Sequence, residues 1–163
     1  MKPTELDAKR TVDGFSIGRI FHADHDLLVT LEEYDREVFG PTGLRTYDLA
    51  VVTQAGAVYL ARVDDEIVGS CQFLRMVDEP DFFYVVGFYI RPQWQGHGLG
   101  RAFLQEVAAA IQKLGAAGMI LTVDPGNTAA LGLYKSTGFE DHTFVRDFYG
   151  EGHDRYIMRW RFA

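Results

Sequence analysis

Between residues 95 and 101 the chain reads Gln95-Gly96-His97-Gly98-Leu99-Gly100-Arg101, with glycine at every second position from 96 to 100. Glycine lets the backbone approach a ligand with no Cβ in the way. The segment stands between an apolar run, Phe82–Ile90, and an amphipathic stretch from about Leu99 to Leu114. A helix opening there presents unpaired N–H groups and a partial positive charge, which suits an anion such as a pyrophosphate. Arg101 in the first turn adds a charged donor. Taken alone, the same glycines could simply make a tight strand-to-helix turn.

Two commoner phosphate loops fit poorly. A Walker loop needs G-x-x-x-x-G-K-[ST], and no such string occurs. A dinucleotide fingerprint needs G-x-G-x-x-G directly after its strand. Here the spacing is G-x-G-x-G, and Arg91-Pro92-Gln93-Trp94 intervenes.

A second patterned string follows, Asn127-Thr128-Ala129-Ala130-Leu131-Gly132-Leu133-Tyr134-Lys135-Ser136-Thr137-Gly138-Phe139. It resembles N-x-x-A-x-x-L-Y-x-x-x-G-F of the Gcn5-related (GNAT) N-acetyltransferases. The segment from Gln95 to Gly100 resembles that family's coenzyme A loop, [QR]-x-x-G-x-[GA], and the Ile90-Arg91-Pro92 link resembles the end of its fourth strand. The likeness covers residues 82–139 well. It implies an α/β layered fold whose mixed, mostly antiparallel sheet of about seven strands is flanked by four helices and splayed between strands 4 and 5.

It also implies how acetyl-CoA would lie. The backbone of Phe88, Tyr89 and Ile90 would pair with the pantetheine arm like an added strand. Gln95 and the backbone of Gly96, His97, Gly98, Leu99, Gly100 and Arg101 would hold the pyrophosphate, with the His97 ring exposed. Asn127 would touch the coenzyme arm, and it reads equally as the N-cap of its helix. The implied reaction is direct attack of an amine on the thioester, with a backbone N–H near Ile90 stabilising the oxyanion.

Tyr134 resembles the family's general acid, although the same residue also reads as an aromatic on the core face of its helix. A tyrosine pKa near 10 lies above a thiol near 8.5, so full proton transfer to a thiolate is uphill by about 2 kcal/mol. Donation as charge develops on sulfur is still useful. Members that acetylate protein N-termini often carry Glu in an L-E-V string on the fifth strand. This chain has Leu121-Thr122-Val123, and threonine cannot act as a base at neutral pH. Asp124, Glu79, Asp81, Glu151, His153 and Asp154 are the alternative bases, and each reads more readily as a solvated loop residue.

These groups need a scaffold. The chain's periodicities predict a strand over Ser16–His22 and a helix capped by Asp24 or Asp26 that carries Leu27, Leu28, Leu31 and Val38. Next comes a short helix capped by Thr42 and carrying Leu44, Tyr47 and Val51. Ala57–Val63 and Glu66–Met76 read as a hairpin turned at Asp64-Asp65. Phe82–Ile90 reads as a strand buried on both faces. The helix over Leu99–Leu114 shows an apolar stripe of Leu99, Phe103, Val107, Ala110, Ile111 and Leu114. Met119–Val123 is a short central strand, and Gly138 closes the helix that Asn127 opens. Strands near Phe139–Phe148 and His153–Phe162 finish the chain.

The 163 residues are read as one domain, 1–163, with 1–14 as a loose polar leader. Hydrophobic residues make up 47% of the chain, which supplies a core and argues against disorder. No apolar run reaches the roughly 18 residues that span a bilayer, so no membrane partner is expected. The first residues lack the apolar stretch of a secretion signal, and a single cysteine, Cys71, cannot form an internal disulfide. A cytoplasmic protein is expected. A net charge of −7 argues against nucleic acid and permits a cationic acceptor. His22, His25 and His142 lack metal-ligand spacing, and no metal is expected.

The functional expectation is an acetyl-CoA-dependent transferase acting on a small-molecule amine or peptide. A module that binds acyl-CoA without turning it over is the alternative. Tyr34, Phe39, Tyr47, Trp94, Phe148 and Tyr149 are candidates for the acceptor wall, expected between the leading helices and the final hairpin turn. A homodimer is compatible with the two C-terminal strands.

Overall fold

The computed structural model describes residues 12–163. The expected leader falls almost wholly outside them. Residues 12–14, which are described, are tied down: Phe15 N–H bonds to the Val12 carbonyl, and Asp64 N–H bonds to the Gly14 carbonyl.

The elements are β1 (Phe15–Ile20), α1 (His25–Phe39), α2 (Thr46–Ala55), β2 (Ala57–Val63), β3 (Glu66–Arg75), β4 (Phe82–Ile90), α3 (Leu99–Gln112), β5 (Gly118–Val123), α4 (Thr128–Thr137), β6 (Glu140–Val145) and β7 (Arg155–Arg161). Short 3-10 turns occupy Gly40–Thr42 and Pro92–Trp94. The strands form a seven-stranded sheet in the order β1-β2-β3-β4-β5-β7-β6. β1 and β2 are antiparallel, as are β5 and β7, and β6 and β7. β4 and β5 are parallel. This is the mixed α/β fold that the motifs implied.

By packing, the chain falls into two compact units. One holds the described part of Met1–Gln72 together with Gly87–Phe103, and the other holds Phe73–Val86 and Leu104–Ala163. In the first, Asp24 caps α1 by accepting from Leu27 N–H at 2.8 Å, while Leu28 and Leu31 point inward. Asp26 is not the cap; it lies in the first turn and favours the positive helix end.

The second helix differs from expectation. Thr42 bonds to the Phe39 carbonyl inside the 3-10 turn, and α2 starts after Arg45, whose N–H bonds to Asp48. Its buried residues are Leu49 and Val52, whereas Tyr47 is 80% exposed and Val51 also faces out. The run Leu49-Ala50-Val51-Val52 is apolar on several faces, so periodicity alone does not choose which side packs.

In the second unit β5 pairs with β7 over six positions, from Gly118↔Arg161 to Val123↔Tyr156. Helix α3 has Leu99, Phe103, Val107 and Ile111 fully buried as expected, widened by Leu104 and Ala108. It ends sooner than expected. Leu114 is 39% exposed, its N–H closes a tighter turn onto the Ile111 carbonyl, and Gly115 takes φ +93°. The final strands are also shorter than expected. Phe139 leaves β6 to pack under α4, and Phe148 and His153 belong to the turn before β7.

Candidate functional site

In the first unit the glycine segment is a surface loop at the foot of α3. Gln95, Gly96, His97 and Gly98 are exposed. Gly96 takes φ +83° and Gly98 φ +78°, a backbone that costs an L-residue about 1–2 kcal/mol. Nothing lies within 4 Å of a Cβ built on Gly96, so glycine serves the backbone turn there and not tight packing. The helix's first long bond runs from Ala102 N–H to the Gly98 carbonyl, 3.3 Å. The N–H groups ahead of it in the first turn have no intrahelical partner. Leu99 is buried and anchors the loop, and Arg101 is exposed.

The strand leading into this loop is fixed by polar contacts. Gln95 Nε2 donates to the Ile90 carbonyl at 2.8 Å. Arg91 pairs with Glu37 at 3.2 Å and Glu66 at 3.4 Å, and its guanidinium lies 3.8 Å from the centre of the Tyr34 ring. Arg91 is therefore a structural cation. Phe88 packs on Phe103 and Tyr89 on Phe39, so the two side chains face opposite sides of β4. A Cβ on Gly69 would stand 2.6 Å from the Tyr89 carbonyl oxygen, so β3 can lie close to this segment only because residue 69 is glycine. The parallel pairing of β4 with β5 covers Phe82↔Gly118, Phe83↔Met119 and Tyr84↔Ile120. Among the described residues it does not continue beyond Tyr84, as the expected splay requires.

In the second unit Asn127 caps α4, its Oδ1 accepting from Ala130 N–H at 3.1 Å. Tyr134 is 9% exposed and stacks edge-on with Phe139, which stacks in turn on Trp160. The core-face reading of Tyr134 therefore holds, and it leaves the proton-donor role open. The carbonyl of Tyr134 accepts from both Gly138 and Phe139 N–H, closing the helix.

Thr122 Oγ1 and the Tyr149 hydroxyl share a hydrogen bond of 3.3 Å. Burial and the Tyr149 hydroxyl push the neighbouring Tyr84 phenol up to about 12, with Thr122 opposing. Tyr84 was missed in the sequence because a tyrosine in an apolar strand carries no signal of its own. Thr122, Tyr149 and Tyr84 thus gather three hydroxyls in one place.

The expected bases fare unequally. Glu79 makes two bonds to Arg159, 2.7 and 3.1 Å, and these bonds hold its carboxyl below the ordinary range. Asp124 pairs with Arg155 and accepts from Gly126 N–H. Asp154 accepts from Asp147 N–H. Asp81, Glu151 and His153 are exposed. Cys71 is fully buried, and burial raises its thiol pKa, as expected for a core thiol. Of the aromatic candidates, Tyr34 lies against Arg91, Phe39 packs on Tyr89, and Trp94 Nε1 approaches Glu66 at 3.4 Å. Phe148 and Tyr149 pack on each other and are partly exposed.

The model of the acetyltransferase (GNAT) family matches residues 24–139. The chain belongs to this family. An uncharacterised protein of Mycobacterium leprae is 30% identical over 160 residues, 97% of this chain and 43% of that one. The [ribosomal protein bS18]-alanine N-acetyltransferase of Escherichia coli K12 is 36% identical over 74 residues, 45% of this chain and 48% of that one. The chain thus spans about half the length of these curated relatives. A Salmonella typhimurium putative acetyltransferase solved with acetyl-CoA superposes with a TM-score of 0.74 at 18% identity, covering 93% of this chain and 95% of that one. Among the described residues no helix is long and apolar enough to cross a membrane.

Proposed function

We propose that this GNAT-family chain is an N-acetyltransferase that moves acetyl from acetyl-CoA to a primary amine of a small molecule or peptide by direct attack. The observation that carries this reading is the exposed loop with left-handed Gly96 and Gly98 at the foot of α3. Its N–H groups offer a cradle for a pyrophosphate, and the positive helix end adds to the attraction. We assign Gln95 and Arg101 to that cradle and, on the family likeness alone, Asn127 to the coenzyme arm.

Phe88, Tyr89 and Ile90 offer backbone groups to the pantetheine arm, on the part of β4 past its last pair with β5. The amine nitrogen bonds to the acetyl carbon, the carbon–sulfur bond breaks, and Tyr134 donates a proton to the departing sulfur. The amide nitrogen's one surplus proton returns to Tyr134 through solvent, so the phenol is restored.

We read the chain as a single acetyltransferase domain, since the family match takes in parts of both compact units. The cytoplasm is the compartment we assign, on the lone buried cysteine. β6 ends the sheet, which leaves an edge for a second subunit in a homodimer. The E. coli relative acts, by its name, on an alanine of a ribosomal protein. Peptide N-termini therefore belong among the acceptors to be tried, although Thr122 in place of Glu argues against an N-terminal acetylase of that type.

The test is thiol release from acetyl-CoA against amino acids, polyamines, aminoglycosides and peptide N-termini, with Tyr134→Phe beside wild type. Amine-dependent release that falls at least about tenfold in the variant, some 1.4 kcal/mol of barrier, supports the transferase. Binding of acetyl-CoA by calorimetry with no release for any amine points instead to an acyl-CoA-binding module.

A further inference from the structure

The first unit contains a ring of buried polar groups that the proposed reaction has not used. Asp35 of α1 is 1% exposed, and Ser70 and Gln72 of β3 are fully buried. Tyr89 of β4 is buried beside them. Asp35 Oδ1 accepts from Leu44 N–H at 3.2 Å. The Leu44 side chain and Gln72 Oε1 both reach the spot where a Cβ on Gly87 would stand. Gln72 Nε2 donates to Ser70 Oγ. Ser70 in turn lowers the Tyr89 phenol pKa, although that contact falls outside hydrogen-bond geometry. Asp35 raises it, so the carboxyl and the phenol are in electrostatic reach of each other.

Three atoms of this ring have no hydrogen-bond partner among the described residues: Asp35 Oδ2, Gln72 Oε1 and the Tyr89 hydroxyl. Each costs about 1–3 kcal/mol if left unpaired. The three atoms lie on α1, β3 and β4, with Tyr89 in electrostatic reach of Asp35 and Ser70, and a shared partner would satisfy all of them. Two are acceptors and the third can donate. A water molecule complements that set, giving its two hydrogens to Asp35 and Gln72 and accepting from Tyr89.

We infer that Asp35, Gln72 and Tyr89 hold one water, and that Asp35 receives the acceptor amine's proton through it. The inference rests on the proposed acetyl transfer, because Tyr89 belongs to the β4 segment assigned to the pantetheine arm. The proton balance is simple. The ammonium gives one proton to the water, the water gives one to Asp35, and Asp35 later releases it to solvent. The neutral amine then attacks, and Tyr134 supplies the proton for sulfur. Asp35 acts through the water and is a positioning and proton-accepting residue.

The electrostatics agree with the role. Burial, opposed by the Leu44 N–H and helped by Asp48 of α2, leaves the Asp35 carboxyl raised to about 7. Tyr89 faces it from β4 as a phenol that burial and Asp35 keep neutral, with Tyr34 reinforcing and Arg91 opposing. A carboxylate poised near neutral pH is matched to general-base work.

The experiment measures the pH profile of amine-dependent thiol release for wild type, Asp35→Asn and Tyr89→Phe, with acetyl-CoA affinity by calorimetry on the same preparations. Asn keeps the acceptor for Leu44 N–H and removes the ionisation. We expect kcat to fall at least about tenfold in Asp35→Asn at pH 7, the inflection near 7 to vanish, and acetyl-CoA affinity to change less than about threefold. Tyr89→Phe is expected to slow the reaction while keeping the inflection. Release that retains the wild-type pH profile in Asp35→Asn overturns this inference alone. Wild type that releases no thiol with any amine overturns the transferase reading and this inference together. If Asp35→Asn does not fold, an unchanged rate in Tyr89→Phe overturns the inference by itself.

Discussion

Gln95 Nε2 donates to the carbonyl of Ile90 at 2.8 Å, tying the first residue of the glycine loop to the last residue of β4. The contact sets where the loop's N–H groups stand relative to the strand assigned to the pantetheine arm. Replacing Gln95 by Ala removes one part-buried hydrogen bond, a loss of about 1 kcal/mol. We expect a several-fold weaker dissociation constant for acetyl-CoA, read by calorimetry, with kcat little changed. An affinity equal to wild type would show that the side chain fixes nothing the coenzyme uses.

Gly96 and Gly138 both take positive φ, yet they should respond differently to Ala. Gly96 faces open space, so Gly96→Ala costs only backbone strain, roughly 1–2 kcal/mol, and should harm acetyl-CoA binding more than stability. A Cβ on Gly138 would stand 2.6 Å from Trp160 Nε1. Gly138→Ala should therefore lower the unfolding free energy by roughly 2–4 kcal/mol. Urea denaturation beside calorimetry separates the two outcomes.

Asp35 also makes a prediction for stability alone. Its folded pKa is raised to about 7 from 3.8, so the folded chain binds the extra proton between those values. The contribution of this group is fully present below about pH 4 and is lost as pH rises through 7. Wild type should lose stability over that window relative to Asp35→Asn, and the two urea midpoints should draw together at the acid end. Parallel curves from pH 4 to 8 would mean that the carboxyl titrates normally.

Glu79 is expected to be a bystander in catalysis. Its carboxylate is engaged by Arg159 through two bonds, which leaves it poorly placed to take a proton. Glu79→Gln should leave amine-dependent thiol release within about twofold of wild type at pH 7 to 8. A loss of tenfold or more would return Glu79 to the candidate bases.

Much of this was legible in the one-dimensional pattern. β2 and β4 begin and end at the expected residues, and α1, α3 and α4 start where expected, because each is bounded by a local signal. Asp24 and Asn127 accept from N–H groups three residues on, and Gly138 provides a left-handed stop. The glycine loop was visible for the same reason, since a positive φ is a demand that few residue types meet.

The buried ring was not visible. Asp35 stands in a run with Glu32, Glu33, Arg36 and Glu37, where any carboxylate reads as solvent-facing. Only the packing of α1 against residues far along the chain on β3 and β4 removes it from water and raises its pKa. The face of α2 was likewise undecided until Leu49 and Val52 turned inward in place of Tyr47 and Val51. Composition, caps, glycine turns and the family likeness were determined by the sequence itself, since each is a property of neighbours in the chain. The protonation of Asp35, the engagement of Glu79 and the hydroxyl cluster around Thr122 were decided by tertiary structure, because burial and long-range pairing exist only once the chain has folded.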